Sequence, residues 1–176
     1  QLGDLVDNVA QLSLAARNLP TLQGAPDTIR ALHVSDIHLN PNVWPVMASI
    51  IEQYDIDVVI DTGDIADQGT AVENTLLDPI ETLGVPYVYI RGNHDSSGTQ
   101  AYIAAMENAV VLDGETAEVA GLVIAGVGDP RFTPDKSTDP TDESVVASGE
   151  RLAAVIEASE EPVDVALVHD PVGADP

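Results

Sequence analysis

The sequence contains no cysteine, and 6 basic residues stand against 30 acidic ones. Without thiols there is no disulfide framework, no cysteine zinc site, no iron–sulfur cluster and no thiol nucleophile. A cysteine-free chain is at home in either redox setting, so the compartment stays open. Lys136 is the one lysine, joined by five arginines. Nucleic-acid binding relies on such side chains to displace counterions from phosphates, which excludes a general DNA- or RNA-coating role. Docking on an anionic membrane surface is excluded on the same ground. Nor is there a run of about 18 apolar residues long enough to cross a bilayer. The most apolar stretch, Val119 to Val127, carries two glycines and reads as a strand.

What is present describes a folded chain. The 176 residues are 44% hydrophobic, with 13 Gly and 12 Pro, which suits one domain with an appendage. The net charge of −24 favours solubility, and it also supplies carboxylates for metal ligation. Gln1 is not an initiator Met, and the chain ends at Ala174-Asp175-Pro176 without a closing strand. The expectation is therefore a piece of a longer protein. The leading helix fits the soluble part of a membrane-anchored one, with any membrane association made through segments outside this chain.

Leu2, Leu5, Val6, Val9, Leu12, Ala16 and Leu19 recur at helical spacing, and Pro20 ends that helix. Residues 1–27 thus read as an amphipathic helix and linker, and residues 28–176 as the main domain. There, expected strands at Ile29 to Val34, Val58 to Ile60 and Tyr87 to Ile90 alternate with helices near Pro45 to Tyr54, Ala71 to Leu83 and Thr99 to Asn108. Short strands follow at Val110 to Leu112, Glu115 to Val119 and Leu122 to Ala125, the last two joined as a hairpin. A loop from Gly128 to Asp142, a helix from Glu143 to Ala158 and a strand from Val163 to Val168 complete the pattern. Such alternation argues for an α/β class with a parallel sheet.

In sheets of this kind the functional loops follow the carboxyl ends of the strands. Those loops read Ser35-Asp36-Ile37-His38, Asp61-Thr62-Gly63-Asp64, Arg91-Gly92-Asn93-His94-Asp95 and His169-Asp170, and they hold three of the four histidines. Asp36 and His38 stand two apart, so on an extended segment both side chains point the same way and chelate one ion. Gly63 permits close approach of the backbone at Asp64, whose two oxygens suit a bridge between cations. Asn93 offers a neutral carbonyl oxygen and His169 an imidazole. This oxygen and nitrogen donor set without sulfur suits Mn, Fe or Zn. Taken singly, Asp64 and Asn93 beside glycines read as turn residues. His33 lies inside the first strand and reads as a core residue or a support packed behind the site; Asp61 and Asp67 read as supports or turn residues.

Asp-x-His, Gly-Asp, Gly-Asn-His-Asp and a late His, in that order at strand ends, resemble the calcineurin-like metallophosphoesterase superfamily over roughly Ile29 to Pro171. The resemblance implies a sandwich of two packed mixed β-sheets flanked by helices, the second sheet incomplete in this chain. It implies a phosphomonoesterase or phosphodiesterase with two divalent metal ions and a metal-bridging hydroxide as nucleophile. Asp36, His38 and Asp64 would hold the first metal, Asp64 bridging, and Asn93 and His169 the second. His94 would assist the leaving group, oriented by Asp95. Arg131 is a candidate substrate contact, because arginine binds phosphate in a bidentate manner. The substrate would be a small phosphoester or a nucleotide. The family's final Gly-His-x-His block is absent, and only seven residues follow His169. Each metal is then short of one ligand, so the expectation is under-occupied metals and little turnover. The alternative is a catalytically silent metal-binding or regulatory module of a larger protein.

Overall fold

The structure is a computed structural model, and it describes residues 28–132 and 142–174. The expected leading helix and linker, and most of the loop after Gly128, lie outside the described residues. Strands β1 (Ala31–Val34), β2 (Val58–Asp61), β3 (Tyr87–Tyr89) and β4 (Ala109–Val111) form a parallel sheet in sequential order. A second, mixed sheet holds β5 (Glu115–Val119), β6 (Leu122–Gly126) and β7 (Val165–Leu167), with β6 antiparallel to β5 and parallel to β7. The helices are α1 (Val43–Tyr54), α2 (Ala71–Asn74), α3 (Ser97–Ala104) and α4 (Asp142–Ala158). The architecture is therefore α/β, with two packed sheets flanked by helices.

Three apolar layers hold it together. Val59, Tyr87 and Tyr89 face Met47, Ile51, Leu77, Ile80 and Ile103 of the helical segments. On the opposite face Val58, Ile60, Val88 and Ile90 meet Val119, Ile124 and Leu167 of the second sheet. Beyond that sheet, Ala125 and Val127 pack on Leu152 of α4. The continuous apolar runs of β2 and β3 follow from this, since both of their faces are covered.

Two expected elements differ in form. The helix expected over Ala71 to Leu83 is one α-turn, α2, followed by a 3-10 helix from Thr75 to Thr82 that contains Pro79. Proline has no amide to donate to the carbonyl four residues earlier, and the tighter winding accommodates it. Thr70 opens this segment with a reciprocal capping box to Glu73. The helix α3 starts at Ser97 rather than Thr99, because the Ser96 side chain accepts the Thr99 amide at 3.0 Å. His33 is exposed rather than part of the core. It lies on the face of β1 that the three-stranded sheet leaves uncovered, beside a wide groove shared with β7, and its Nε2 meets the Thr62 hydroxyl at 3.0 Å.

Candidate metal centre

The loops after β1, β2, β3 and β7 converge at one end of the sandwich. The first two are zipped by their backbones: the amides of Asp36, His38 and Leu39 donate to the carbonyls of Gly63, Asp64 and Ile65 at 2.9, 3.0 and 2.9 Å. This extends the β1–β2 ladder into the loops. Asp36, His38 and Asp64 hold left-handed backbone angles, with φ of 55°, 46° and 58°. Such conformations are costly for non-glycine residues and cluster at functional sites.

Ligand atoms of Asp36, His38 and Asp64 all lie within 4.8 Å of one another. His38 Nε2 is 3.9 Å from an oxygen of Asp36 and 3.9 Å from Asp64 Oδ2, while its Nδ1 meets Asp67 Oδ1 at 3.0 Å. A carboxylate behind the ring in this way fixes the edge that faces a cation. His169 approaches Asp64 from the other side. Its Nε2 is 3.5 Å from Asp64 Oδ2 and 3.1 Å from Asn93 Oδ1. Its Nδ1 donates to the Thr62 carbonyl at 2.8 Å, which places the proton on Nδ1 and turns Nε2 inward. Oxygen and nitrogen donors thus stand on both sides of one Asp64 oxygen, and this set fits hard or borderline divalent cations.

The rest of the loop structure serves this carboxylate. Asp95 is fully buried and accepts the amides of Asp64, Ala66 and Gly92 at 2.7, 2.9 and 2.9 Å. The His94 amide donates to Asp64 Oδ1 at 2.8 Å. Gly63 and Gly92 touch through their backbones, and a Cβ on Gly92 would collide with the amide and carboxylate of Asp64. Behind β2, Asp61 accepts the Gly63 amide at 2.9 Å and the Tyr87 hydroxyl at 2.5 Å. Burial pushes the Asp61 carboxyl up to about 7, against the opposing hydrogen bonds.

Charge at the centre is set by competition. Burial pulls the Asp64 carboxyl upward, but hydrogen bonding from His169 and from the His94 amide leaves it below its ordinary range. Burial would lower His169, yet the Asp64 carboxylate raises it to about 9. In the metal-free protein these two therefore form an ion pair.

Two expected partnerships are replaced. The His94 ring is held by Asp67, not by Asp95: its Nδ1 donates to the Asp67 carbonyl at 3.0 Å, and its edge meets the His38 ring at 5.0 Å between centroids. Asp95 is committed to backbone amides, because three donors converge on it inside the fold. Arg131 is likewise not a free phosphate contact. Its guanidinium is bidentate to Asp129, at 2.9 and 2.6 Å, and reaches Asp170 at 2.6 Å. The buried Asp129 carboxylate needs that charge, and it holds Arg131 above its ordinary range.

Asp67 is the functional residue whose part sequence reasoning understated, since it supports two histidines at once. Its place three residues after Asp64 in Gly63-Asp64-Ile65-Ala66-Asp67 was the available signal.

No curated protein matches the sequence. A solved crystal structure superposes with a TM-score of 0.57 at 14% identity, over 77% of this chain and 66% of its own length, just under two thirds, and so shares the fold. The profile of the calcineurin-like phosphoesterases matches residues 29–175, which spans the described sheets and every loop of the centre. The chain belongs to the calcineurin-like phosphoesterase family.

Proposed function

We propose that the protein hydrolyses a small soluble phosphoester at a two-cation centre. The observation that supports this is the position of Asp64 Oδ2, 3.9 Å from His38 Nε2 and 3.5 Å from His169 Nε2, so that one oxygen faces both donor groups. Asp36, His38 and Asp64 would hold one cation, and Asn93 and His169, sharing Asp64, the other. Bound there, Mn, Fe or Zn would activate a water as nucleophile and neutralise charge on the phosphoryl group.

The chain's own residues do the remainder. Asp67 and the Thr62 carbonyl fix His38 and His169 with Nε2 inward. The His94 ring donates its Nδ1 hydrogen to the Asp67 carbonyl, which leaves Nε2 for the leaving-group oxygen; from the imidazolium form it would deliver the Nε2 proton there and remain as the neutral Nδ1–H tautomer. With Arg131 held by carboxylates and few other cations in the chain, a large polyanion finds little to bind. A phosphomonoester, small diester or nucleotide suits the site better.

The test is metal content of protein purified without chelator, with p-nitrophenyl phosphate and bis-p-nitrophenyl phosphate assayed in Mn²⁺. Low but metal-dependent turnover is expected, because the Gly-His-x-His block that would complete each metal's ligands is absent, with the relative rates separating monoesterase from diesterase. In His94→Ala the rate should fall by roughly 100-fold or more while Mn²⁺ affinity stays. Protein without bound metal or turnover would overturn the reading in favour of a silent module.

A further inference from the structure

Asp61 carries no ligand role, yet it is a carboxyl with no exposed surface, three residues before Asp64. It ends β2 on the helix-facing side of the parallel sheet, the side occupied by Val59, Tyr87 and Tyr89. One oxygen accepts the Gly63 amide at 2.9 Å and the other the Tyr87 hydroxyl at 2.5 Å. Gly63 holds φ of 102°, lies against the Gly92 backbone, and through its carbonyl accepts the Asp36 amide at 2.9 Å. Gly63, whose amide Asp61 grips, is thus connected to both carboxylates of the candidate site, to Asp36 through its carbonyl and to Asp64 through the chain.

We infer that Asp61 is a positioning residue: with Tyr87 it clamps Gly63 and so sets the backbone from which Asp36 and Asp64 reach a cation. The inference rests on the metal-centre reading above. Stability alone does not explain the residue. Taking a carboxyl out of water for one amide and one hydroxyl is costly, and Val59, Tyr87, Tyr89 and the helical residues opposite make that face largely apolar. Hydrogen-bonded supports behind metal ligands have the effect required here, since their loss costs about 10–100-fold in metal affinity.

The experiment is Mn²⁺ calorimetry and Mn²⁺ electron paramagnetic resonance on the full chain, with melting temperature measured for each variant. Asp61→Leu strands the Gly63 amide and the Tyr87 hydroxyl, so it should lower the melting temperature, and it should bind Mn²⁺ about 10–100-fold more weakly, with an altered resonance spectrum. Asp61→Asn retains an acceptor for the Gly63 amide, so its affinity should stay within about threefold of the parent. Leu112→Ala, on the opposite face of the sheet, should lower the melting temperature and leave affinity unchanged. Parent-like affinity in Asp61→Leu would overturn the inference, as would affinity losses that track melting temperature through Leu112→Ala. Should Asp61→Leu not fold, Tyr87→Phe carries the test: weaker binding supports the clamp and parent-like binding overturns it. If the parent chain binds no Mn²⁺, the metal reading itself has failed and the clamp falls with it.

Discussion

The centre is built from two unlike parts of the sandwich. Every residue of β2 and β3 is buried, while β1 alternates between exposed and half-buried positions and β7 forms an edge of its sheet. The loops after the inner strands are held by side chains from within: Asp95 takes three amides and Asp61 one. The loop after β1 is held by the backbone ladder, by Asp67 on His38 and by buried Ile37, while Asp36 on it is exposed. Geometry and stability are therefore coupled at Asp64 and separable at Asp36. A centre built this way has a rigid inner carboxylate and a softer rim.

The largest effect that would sharpen this contrast is at Gly92. In Gly92→Ala the new methyl meets the Asp64 backbone, which has nowhere to move. A loss of roughly 4 kcal/mol, or about 10 °C in melting temperature, is expected. His33→Ala on the open face of β1 should stay within about 0.5 kcal/mol. Equal shifts in calorimetric melts would break the comparison.

The pair Asp95 and Asp36 comes next. Asp95→Ala strands three amides inside the fold and should cost about 3 kcal/mol in urea unfolding. Asp36→Ala should leave unfolding within about 0.5 kcal/mol, yet weaken Mn²⁺ binding at least about tenfold. Should Asp36→Ala destabilise as much as Asp95→Ala, the rim is not soft.

The smallest effect is in pH. His169, raised from 6.5 to about 9, contributes pairing stability that is full below pH 6.5 and lost as pH rises through 9. Asp61, raised from 3.8 to about 7, likewise favours the fold below pH 3.8 and loses that share as pH rises through 7. Stability of the chelated protein should then decline between pH 6.5 and 9. Mn²⁺ affinity should climb over the same range, by at most about tenfold per unit, because the cation displaces the His169 proton. Asp61→Asn should flatten the lower part of the decline. Stability that is level or rising across that window would contradict the His169 assignment.

Much of this was readable beforehand, and the reasons are local. The apolar runs at Val58 and Tyr87 mark buried strands, and the polar clusters after them mark the loops. Asp36, His38, Asp64, Asn93 and His169 stand out because their residue types suit cations and their spacing matches strand–helix units. What was not readable depends on residues far apart in the chain. Asp95 meets amides about thirty positions earlier, and Arg131 is captured by Asp170, 39 residues on. No local pattern in the sequence announces either pairing. The exposure of His33 depends on how many strands lie opposite β1, which no property of β1 encodes. The helix expected from Ala71 to Leu83 takes no account of Pro79, and the 3-10 form around it packs Leu77 and Ile80 into the core.

The left-handed backbone at Asp36, His38, Leu39 and Asp64 has an evolutionary consequence. Each such residue holds the fold on the order of 1 kcal/mol above what glycine would allow at the same place. A lineage released from the chemistry gains stability at the first Asp36→Gly, whereas at Asp64 and Leu39 hydrogen bonds and packing offset the strain. Decay of the centre needs no selection at all, whereas its upkeep needs selection in every generation.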